Sequence, residues 1–460
     1  MSSFPLESTM IRHYLRTAAR TVTRHPGFSA INILGLSVGV AVAVLLFLFV
    51  HAEWTYDRFH DDSDRIYRTW LHEDWGPGQQ FFNTVTPIRL GPSVLDEIPD
   101  IEDWVRYDRV TSTVTSGETT LNETVFMVDA NFLDFFDFQV AEGDASTMLS
   151  GPGQIVLTES ARERWFGGNP AIGRTLTLDM GGDPMEFEVS GILEDVPVRS
   201  SLQFEMLISY DVAPMIYSEG QVSAWFMVSP ETYARLQPGA DPLEVQRKVE
   251  PVVKSQMGED QQQVDYTVGF QPITSIHLDT EFPVGYAAVN NPVYARVLFV
   301  IAWLILGTAC INFVTLSISR SVERSREIGV RKAVGASRGE LLRQYWGESL
   351  LYSAIALLVG VVGAELLLPG FNALTGQPVS LSPTPGVFAL FAGILVALGL
   401  LAGLYPALVL SGFSPVDAIR GRSRTGRGAS LTRRARVGAL FTLSIILLAA
   451  TFVATDLVRT

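Results

Sequence analysis

The stretch Phe28-Ser-Ala-Ile-Asn-Ile-Leu-Gly-Leu-Ser-Val-Gly-Val-Ala-Val-Ala-Val-Leu-Leu-Phe-Leu-Phe-Val50 holds no charged side chain. It meets the ~20 apolar residues that carry a helix across a hydrocarbon core. Val297 to Ser319, Val387 to Gly412 and Val437 to Thr455 are equally free of charge, and Ser349 to Leu368 holds only Glu365. Backbone polar groups in lipid must be satisfied within the segment, so each run reads as a helix and five spans are expected. A cleaved signal peptide is the rival for the first run, with Arg12, Arg16, Arg20 and Arg24 as its basic region and Val50-His51-Ala52 as its cleavage site. The apolar core exceeds the ~7–15 residues of such a signal, which favours an uncleaved anchor.

Charge assigns sides. Residues 8–28 carry four arginines and no acid, residues 320–348 seven basic and four acidic residues, and residues 411–436 seven arginines and one aspartate, while residues 369–386 carry neither sign. Basic segments stay in the cytoplasm, so residues 52–293 are expected outside. That insert has 14 basic and 40 acidic residues, net −26; the remainder has 20 and 8, net +12, and the two sum to the chain's −14. The basic membrane part suits anionic lipid. The acidic insert repels phosphates, which argues against a nucleic-acid partner. The one cysteine, Cys310, lies in the second span, so no disulfide can form within the chain.

The expected layout is a basic cytoplasmic segment (1–28), a first membrane helix (29–51), an extracytoplasmic domain (52–293), a second helix (294–319), a cytoplasmic elbow (320–348), third and fourth helices (349–410), a basic linker (411–436) and a fifth helix (437–457). Within the insert, 123–128, 154–158, 175–178, 187–193, 204–208 and 266–270 read as strands. Thr158 is a plausible N-cap for a helix from Glu159 to Phe166, closed by Gly167-Gly168. Asp241-Pro242 opens a second helix reaching Met257. The fold class expected is an α-helical polytopic membrane domain with a large α+β extracytoplasmic domain, in two subdomains, between the first and second membrane helices.

The elbow runs Ser321-Val-Glu-Arg-Ser-Arg-Glu-Ile-Gly-Val-Arg-Lys-Ala-Val-Gly-Ala-Ser-Arg-Gly-Glu-Leu-Leu-Arg-Gln-Tyr-Trp-Gly-Glu348. Helix formers fill it up to Val334, and Gly335 breaks it. Ser337 and Glu340 then spell a capping box that starts a new helix. A helix, a tight turn and a helix joined to two spans can pass a push from a cytoplasmic partner. The bland alternative is a basic loop that sets topology only.

Catalytic motifs are weak. Gly35-Leu-Ser-Val-Gly39 matches G-x-S-x-G, but that motif needs a strand-to-helix turn rather than mid-span helix. The same spacing, G-x-x-x-G, lets helices approach closely and recurs at Gly399 and Gly403. No P-loop is present, so no ATP hydrolysis by this chain is expected. His51, His60 and His72 with Asp57, Asp61 and Asp62 make only a weak metal candidate; no metal and no bound cofactor are expected. Asn32, Asn312 and Glu365, costly in lipid, are expected to hydrogen-bond between helices.

The segment Arg326-Glu-Ile-Gly-Val-Arg-Lys-Ala-Val-Gly-Ala-Ser337 resembles the signature of MacB/FtsX-type ABC transporter permeases. Phe28 to Gly39 resembles that family's first span, and Tyr56-Asp-Arg-Phe-His60 with Asp64-Arg-Ile-Tyr-Arg68 its exit into the ectodomain. Asp129-Ala-Asn-Phe-Leu-Asp-Phe-Phe-Asp-Phe138, Ile155-Val-Leu-Thr-Glu-Ser160 and Gly191-Ile-Leu-Glu-Asp-Val196 resemble its MacB-like periplasmic core domain. The matches keep the family's order along nearly the whole chain. Residues 294–415 would then be the FtsX-like permease domain.

The resemblance implies a permease subunit that transmits ATP-driven movement of a partner ABC-type ATPase to a periplasmic domain, with ATP and Mg on the partner. Arg326, Glu327, Gly329, Arg331, Lys332, Gly335, Ala336, Ser337 and Glu340 would form the ATPase-facing elbow. Other expected partners are a second permease half or a second copy, membrane lipid and a periplasmic adaptor, in the bacterial inner membrane. Five spans match neither the longer relatives, with two ectodomains and eight spans, nor the smaller ones with four. The fifth run resembles the first span of a second half, so a truncated chain or half of a split permease is expected. An extracytoplasmic sensor, or a regulator of cell-wall hydrolases without transport, is the alternative.

Overall fold

The computed structural model describes residues 26–259, 261–283, 285–319, 330–332 and 334–411, with the side chains of 318–319 and 402–411 left out. The expected fifth span, the basic linker after residue 411 and the N-terminal basic segment up to residue 25 lie outside the described residues. Two compact units divide the chain, Glu53–Pro292 and the remainder. A first helix, α1 (Pro26–Trp54), leads into the extracytoplasmic unit.

Among the described residues that unit holds eleven strands in one sheet: β1 (Ile66–Asp74), β2 (Gln80–Asn83), β3 (Ile101–Ser116), β4 (Thr119–Val128), β5 (Val140–Glu142), β6 (Gln154–Thr158), β7 (Thr175–Asp179), β8 (Met185–Leu193), β9 (Met206–Ser209), β10 (Glu231–Leu236) and β11 (Asp265–Pro272). The order is β11-β1-β10-β3-β4-β9-β6-β8-β5, with β2 on β1 and β7 bridging β3 and β8. That bridge closes a ring β3-β4-β9-β6-β8-β7. Alternate residues of all six strands fill the ring: Val114, Val125, Met127, Ile208, Leu157, Val189 and Leu178 are each fully or almost fully buried. Period-two alternation places one face of every strand inward. The expected two subdomains are therefore two lobes that share β3, whose first half pairs with β10 and second half with β7.

Helix α2 (Glu159–Phe166) starts at Thr158, whose Oγ1 accepts from the Ala161 N–H at 3.3 Å, and stops at left-handed Gly167. Helix α3 (Pro242–Gln256) is capped by Asp241, whose Oδ1 accepts from the Leu243 N–H at 3.0 Å. Its Val245, Val249 and Val253 share one face and pack in one core with Tyr266 and Val268 of β11. The run 129–138 turns out to be an aromatic plug: Phe132, Phe135, Phe136 and Phe138 are buried in one cluster with Val105 and Tyr107. Asp129 accepts from the Arg106 Nε at 3.0 Å, and Asn131 Nδ2 donates to Asp103 at 2.8 Å. Strands β1 and β10 carry no distinct sequence signal because polar and apolar residues mix on faces that are both covered, and β3 mixes them irregularly, with Glu102, Arg109, Thr111 and Thr113 exposed.

The weak metal candidate dissolves. Among the described residues no group of three His, Cys, Asp or Glu side chains could hold a metal. His60 sits between Phe59, Phe136 and Phe138, and its Nδ1 accepts from the Asp137 N–H at 3.1 Å. Asp57 is engaged with Ser201.

In the membrane unit, α4 (Pro292–Ser319), α5 (Arg338–Thr375) and α6 (Pro385–Ser411) join α1. Helices α1, α4 and α5 are long and apolar enough to cross a membrane. A Cβ added to Gly39 would meet the Ala309 Cβ at 2.6 Å, so α1 and α4 touch there; at Gly35 it would meet only Asn312 Nδ2, at 3.5 Å. At Gly399 it would meet Leu350 Cδ1 at 2.9 Å, while Gly403 falls among the residues whose packing is not described. The tightest approach of α1 and α5 was not singled out in the sequence. A Cβ on Gly360 would stand 2.6 Å from Val40 Cγ1 and 3.0 Å from the Ser37 carbonyl oxygen. Bonds between helices also come from other residues than expected. Ser29 Oγ pairs with Tyr352 Oη at 2.9 Å, and Trp346 Nε1 donates to the Gly399 carbonyl at 2.9 Å. Asn32 Nδ2 donates within its own helix, to the Phe28 carbonyl at 3.1 Å, and Glu365 is exposed.

Two predictions follow from this packing. Gly360→Val should destabilise the bundle by about 1–3 kcal/mol through overpacking, whereas Gly363→Ala, whose Cβ would meet Ala41 at 3.4 Å, should be tolerated. Equal unfolding temperatures for the two variants in lipid nanodiscs would contradict this. Burial lowers the His60 pKa from 6.5 to about 4. The folded state keeps the ring neutral while the unfolded chain protonates it, so stability present above pH ~6.5 is lost as pH falls through the folded value. Denaturant unfolding of the full chain should weaken from pH 7 to 4.5, and less so in His60→Gln; the same loss in both would contradict it.

Candidate coupling elbow

The first half of the elbow, including Arg326, Glu327 and Gly329, lies outside the described residues. The second half is described from Val330, with Ala333 excepted. Val330 to Lys332 is helical. The Gly335 N–H then donates to the Lys332 carbonyl at 3.1 Å, and the Ala336 N–H to the Arg331 carbonyl at 3.0 Å. This nested pair is a Schellman stop, and it requires a left-handed residue at its centre. Gly335 supplies it, with φ +105°.

Two residues later the next helix begins. Ser337 Oγ accepts from the Glu340 N–H at 3.3 Å, and Glu340 Oε2 accepts from the Ser337 N–H at 2.9 Å. Both halves of the capping box are present, and α5 starts at Arg338. Arg331 Nη1 donates to Gln344 Oε1 at 2.7 Å, which ties the helix before the turn to the second turn of α5. The turn therefore joins Arg331, Lys332, Gly335, Ala336, Ser337 and Glu340 in one rigid corner.

Sequence reasoning missed three participants. Gln344 carries no motif; only its place one helical turn after Glu340 hints that it faces the corner. Val330 and Val334 are 57% and 84% exposed. Their signal was available, since apolar side chains in a polar turn have no core to enter. The packing glycines Gly35, Gly39 and Gly399 lie on α1 and α6, outside this corner.

Comparison with known proteins places the chain. Residues 29–252 match the MacB-like periplasmic core domain, and residues 299–415 match the FtsX-like permease C-terminal domain. The ABC transporter permease YvrN of Bacillus subtilis is 25% identical over 306 residues, covering 64% of this chain and 69% of YvrN. The macrolide export ATP-binding/permease protein MacB of Nitrobacter winogradskyi is 21% identical over 419 residues, 89% of this chain and 60% of that protein. The chain thus spans less than two thirds of that MacB. The solved periplasmic region of MacB from Actinobacillus actinomycetemcomitans is 12% identical, covering 43% of this chain and 87% of its own, with a TM-score of 0.32. With both domain matches in the order that the membrane helices and the insert dictate, the chain belongs to the MacB/FtsX-type ABC transporter permeases.

Proposed function

We propose that the chain is the permease subunit of an ABC transporter in which ATP hydrolysis by a separate partner ATPase pushes the elbow. The membrane helices carry that movement to the extracytoplasmic domain, which exports or releases a substrate on that side. ATP and Mg belong to the partner in this reading. A second permease half or a second copy, lipid and a periplasmic adaptor complete the assembly in the bacterial inner membrane.

One observation carries the reading, the fused corner from Arg331 to Gln344. A Schellman stop followed directly by a capping box leaves no flexible linker between the elbow and α5. Helix α5 is 38 residues long, or about 57 Å at ~1.5 Å per residue, against a hydrocarbon core of ~30 Å. A push on the corner is thus a push on one end of a single helix that no proline interrupts before Pro369, near its far end. The exposed Val330 and Val334 beside Arg331 add the mixture of apolar anchor and guanidinium that protein interfaces favour.

Co-purification of the full chain with an ABC-type ATPase, and the ATP hydrolysis it stimulates, test this. Gly335→Ala forces a side chain into left-handed backbone, worth ~1–2 kcal/mol. Together with Arg331→Ala it should weaken binding and stimulation about tenfold, the equivalent of ~1.4 kcal/mol. The unfolding of the extracytoplasmic domain should not change. Unaltered binding and stimulated hydrolysis in that double variant would sink the elbow's role.

A further inference from the structure

The Gly35–Gly39 motif of α1 turns its two glycines to different faces. Gly39 is buried against Ala309 of α4, while Gly35 is exposed. Ile31, Leu34 and Val38 are exposed beside it, at 62%, 59% and 65%. A Cβ on Gly35 would meet only the amide nitrogen of Asn312 on α4, at 3.5 Å, and Asn312 is itself exposed. The outward surface of α1 and α4 therefore carries an amide beside a gap that no side chain fills.

Depth makes that amide costly. Gly39 is the midpoint of the uncharged run 28–50, and Ala309 lies against it. Asn312 stands three residues further along α4, or ~4.5 Å at ~1.5 Å per residue. Counted along α4 itself, it is four residues from Thr308, the midpoint of the uncharged run 297–319, or ~6 Å. Both values fall well inside a half-core of ~15 Å, too deep for so short a side chain to reach water. Neighbouring hydroxyls on α4 bond back to their own helix. Thr308 Oγ1 donates to the Leu304 carbonyl at 2.8 Å, and Thr315 Oγ1 to the Ile311 carbonyl at 2.7 Å. Asn312 makes no hydrogen bond among the described residues. A polar side chain left open to lipid at this depth is expensive and calls for a protein partner.

The chemistry of the amide names that partner. Asparagine offers an acceptor oxygen and a donor nitrogen on one carbon, so two of them satisfy each other through a reciprocal pair of hydrogen bonds. Two copies of one chain inserted in the same direction are related by a two-fold axis along the membrane normal. Such an axis brings the same patch together from both sides, and it keeps every residue at its own depth. Asn312 then meets the same residue of the second copy, as a buried asparagine does in the seam of a two-stranded coiled coil. Gly35 leaves room for the close approach. We propose that a second copy of this chain docks on the α1–α4 face around Gly35, closed by a reciprocal pair of Asn312 amides. This narrows the second half or second copy of the proposed assembly to a second copy. It rests on the spanning of α1 and α4 and stands whether or not an ATPase drives the elbow.

Cysteine cross-linking of the full chain in the membranes of expressing cells reads the contact. In a Cys310→Ala background, Ile31→Cys, Leu34→Cys and Val38→Cys are oxidised one at a time, with Val362→Cys, 61% exposed on α5, as the reference. At least one of the three should give a disulfide-linked pair at twice the chain mass, in several-fold higher yield than Val362→Cys. No cross-link at any of the three, yields equal to the reference, or a product with a chain of another mass overturns the proposal. Asn312→Leu then tests the amide, with energy transfer between two dyes reporting self-association in lipid vesicles. It should raise the protein-to-lipid ratio at half-association about tenfold and leave the unfolding of the extracytoplasmic domain unchanged. Self-association equal to that of the wild type overturns the amide pair. If Asn312→Leu does not fold, the cysteine series decides alone.

Discussion

A large domain inserted between two membrane helices must begin and end at the same membrane face, and that constraint organises the extracytoplasmic unit. Its first and last strands are neighbours. Strands β1 and β11 pair antiparallel from Tyr67↔Pro272 to Asp74↔Asp265, which returns the chain to where it entered. Arg68 locks this seam from inside. Its Nη1 donates to Glu231 Oε1 on β10 at 2.9 Å and its Nη2 to Gln271 Oε1 on β11 at 2.6 Å, so one buried side chain on β1 spans three strands. Glu231 also accepts from the Tyr233 hydroxyl at 2.7 Å and the Tyr286 N–H at 3.0 Å. A buried ion pair is a poor source of net stability, yet removing one partner typically costs ~3–5 kcal/mol. Losing either partner would therefore be costly at the point where β1, β10 and β11 meet. The returning chain crosses it at Gly285, where a Cβ would clash with Glu231 Oε1.

From the seam, the long strand β3 distributes order to the rest of the domain. Its N-terminal half extends the open lobe covered by α3, and its C-terminal half is a stave of the six-stranded ring. The Phe-rich plug at 132–138 packs with Val105 and Tyr107 of that same strand. Side-chain anchors reinforce the join. Asp108 is fully buried on β3 and accepts from the hydroxyls of Tyr210, Tyr217, Ser229 and Tyr286. Burial raises its pKa, and the four donors oppose that shift. Without a disulfide, such polar nodes within apolar cores supply the cross-links that define one arrangement.

The membrane unit uses a different vocabulary. Lipid offers no hydrophobic drive between helices, so close backbone approach and a few hydrogen bonds decide the packing. Gly39 and Gly360 provide the approach, and Ser29 with Tyr352 and Trp346 with Gly399 provide the bonds. The elbow contributes rigidity through backbone geometry at Gly335 and the reciprocal Ser337–Glu340 cap.

Much of this was legible in the sequence, and the division has a physical cause. Features set by neighbours a few residues away could be read directly. Uncharged runs implied helices, Thr158 and Asp241 marked helix starts, and Gly335 with the Ser337–Glu340 pair announced the corner; each rests on contacts within one turn. Features set by distant neighbours could not. The sequence does not say that β7 would close a ring against β3, that Gly360 would face Val40, or that Arg331 would reach Gln344. Nor does it show Glu53, His277 and Asn290 meeting, since more than two hundred residues separate the first from the other two. Local backbone preference and hydrophobic period determined the elements and their order. Only the tertiary structure decided which side chains meet, because those meetings depend on strand register and on covered faces, and no short stretch of sequence encodes either.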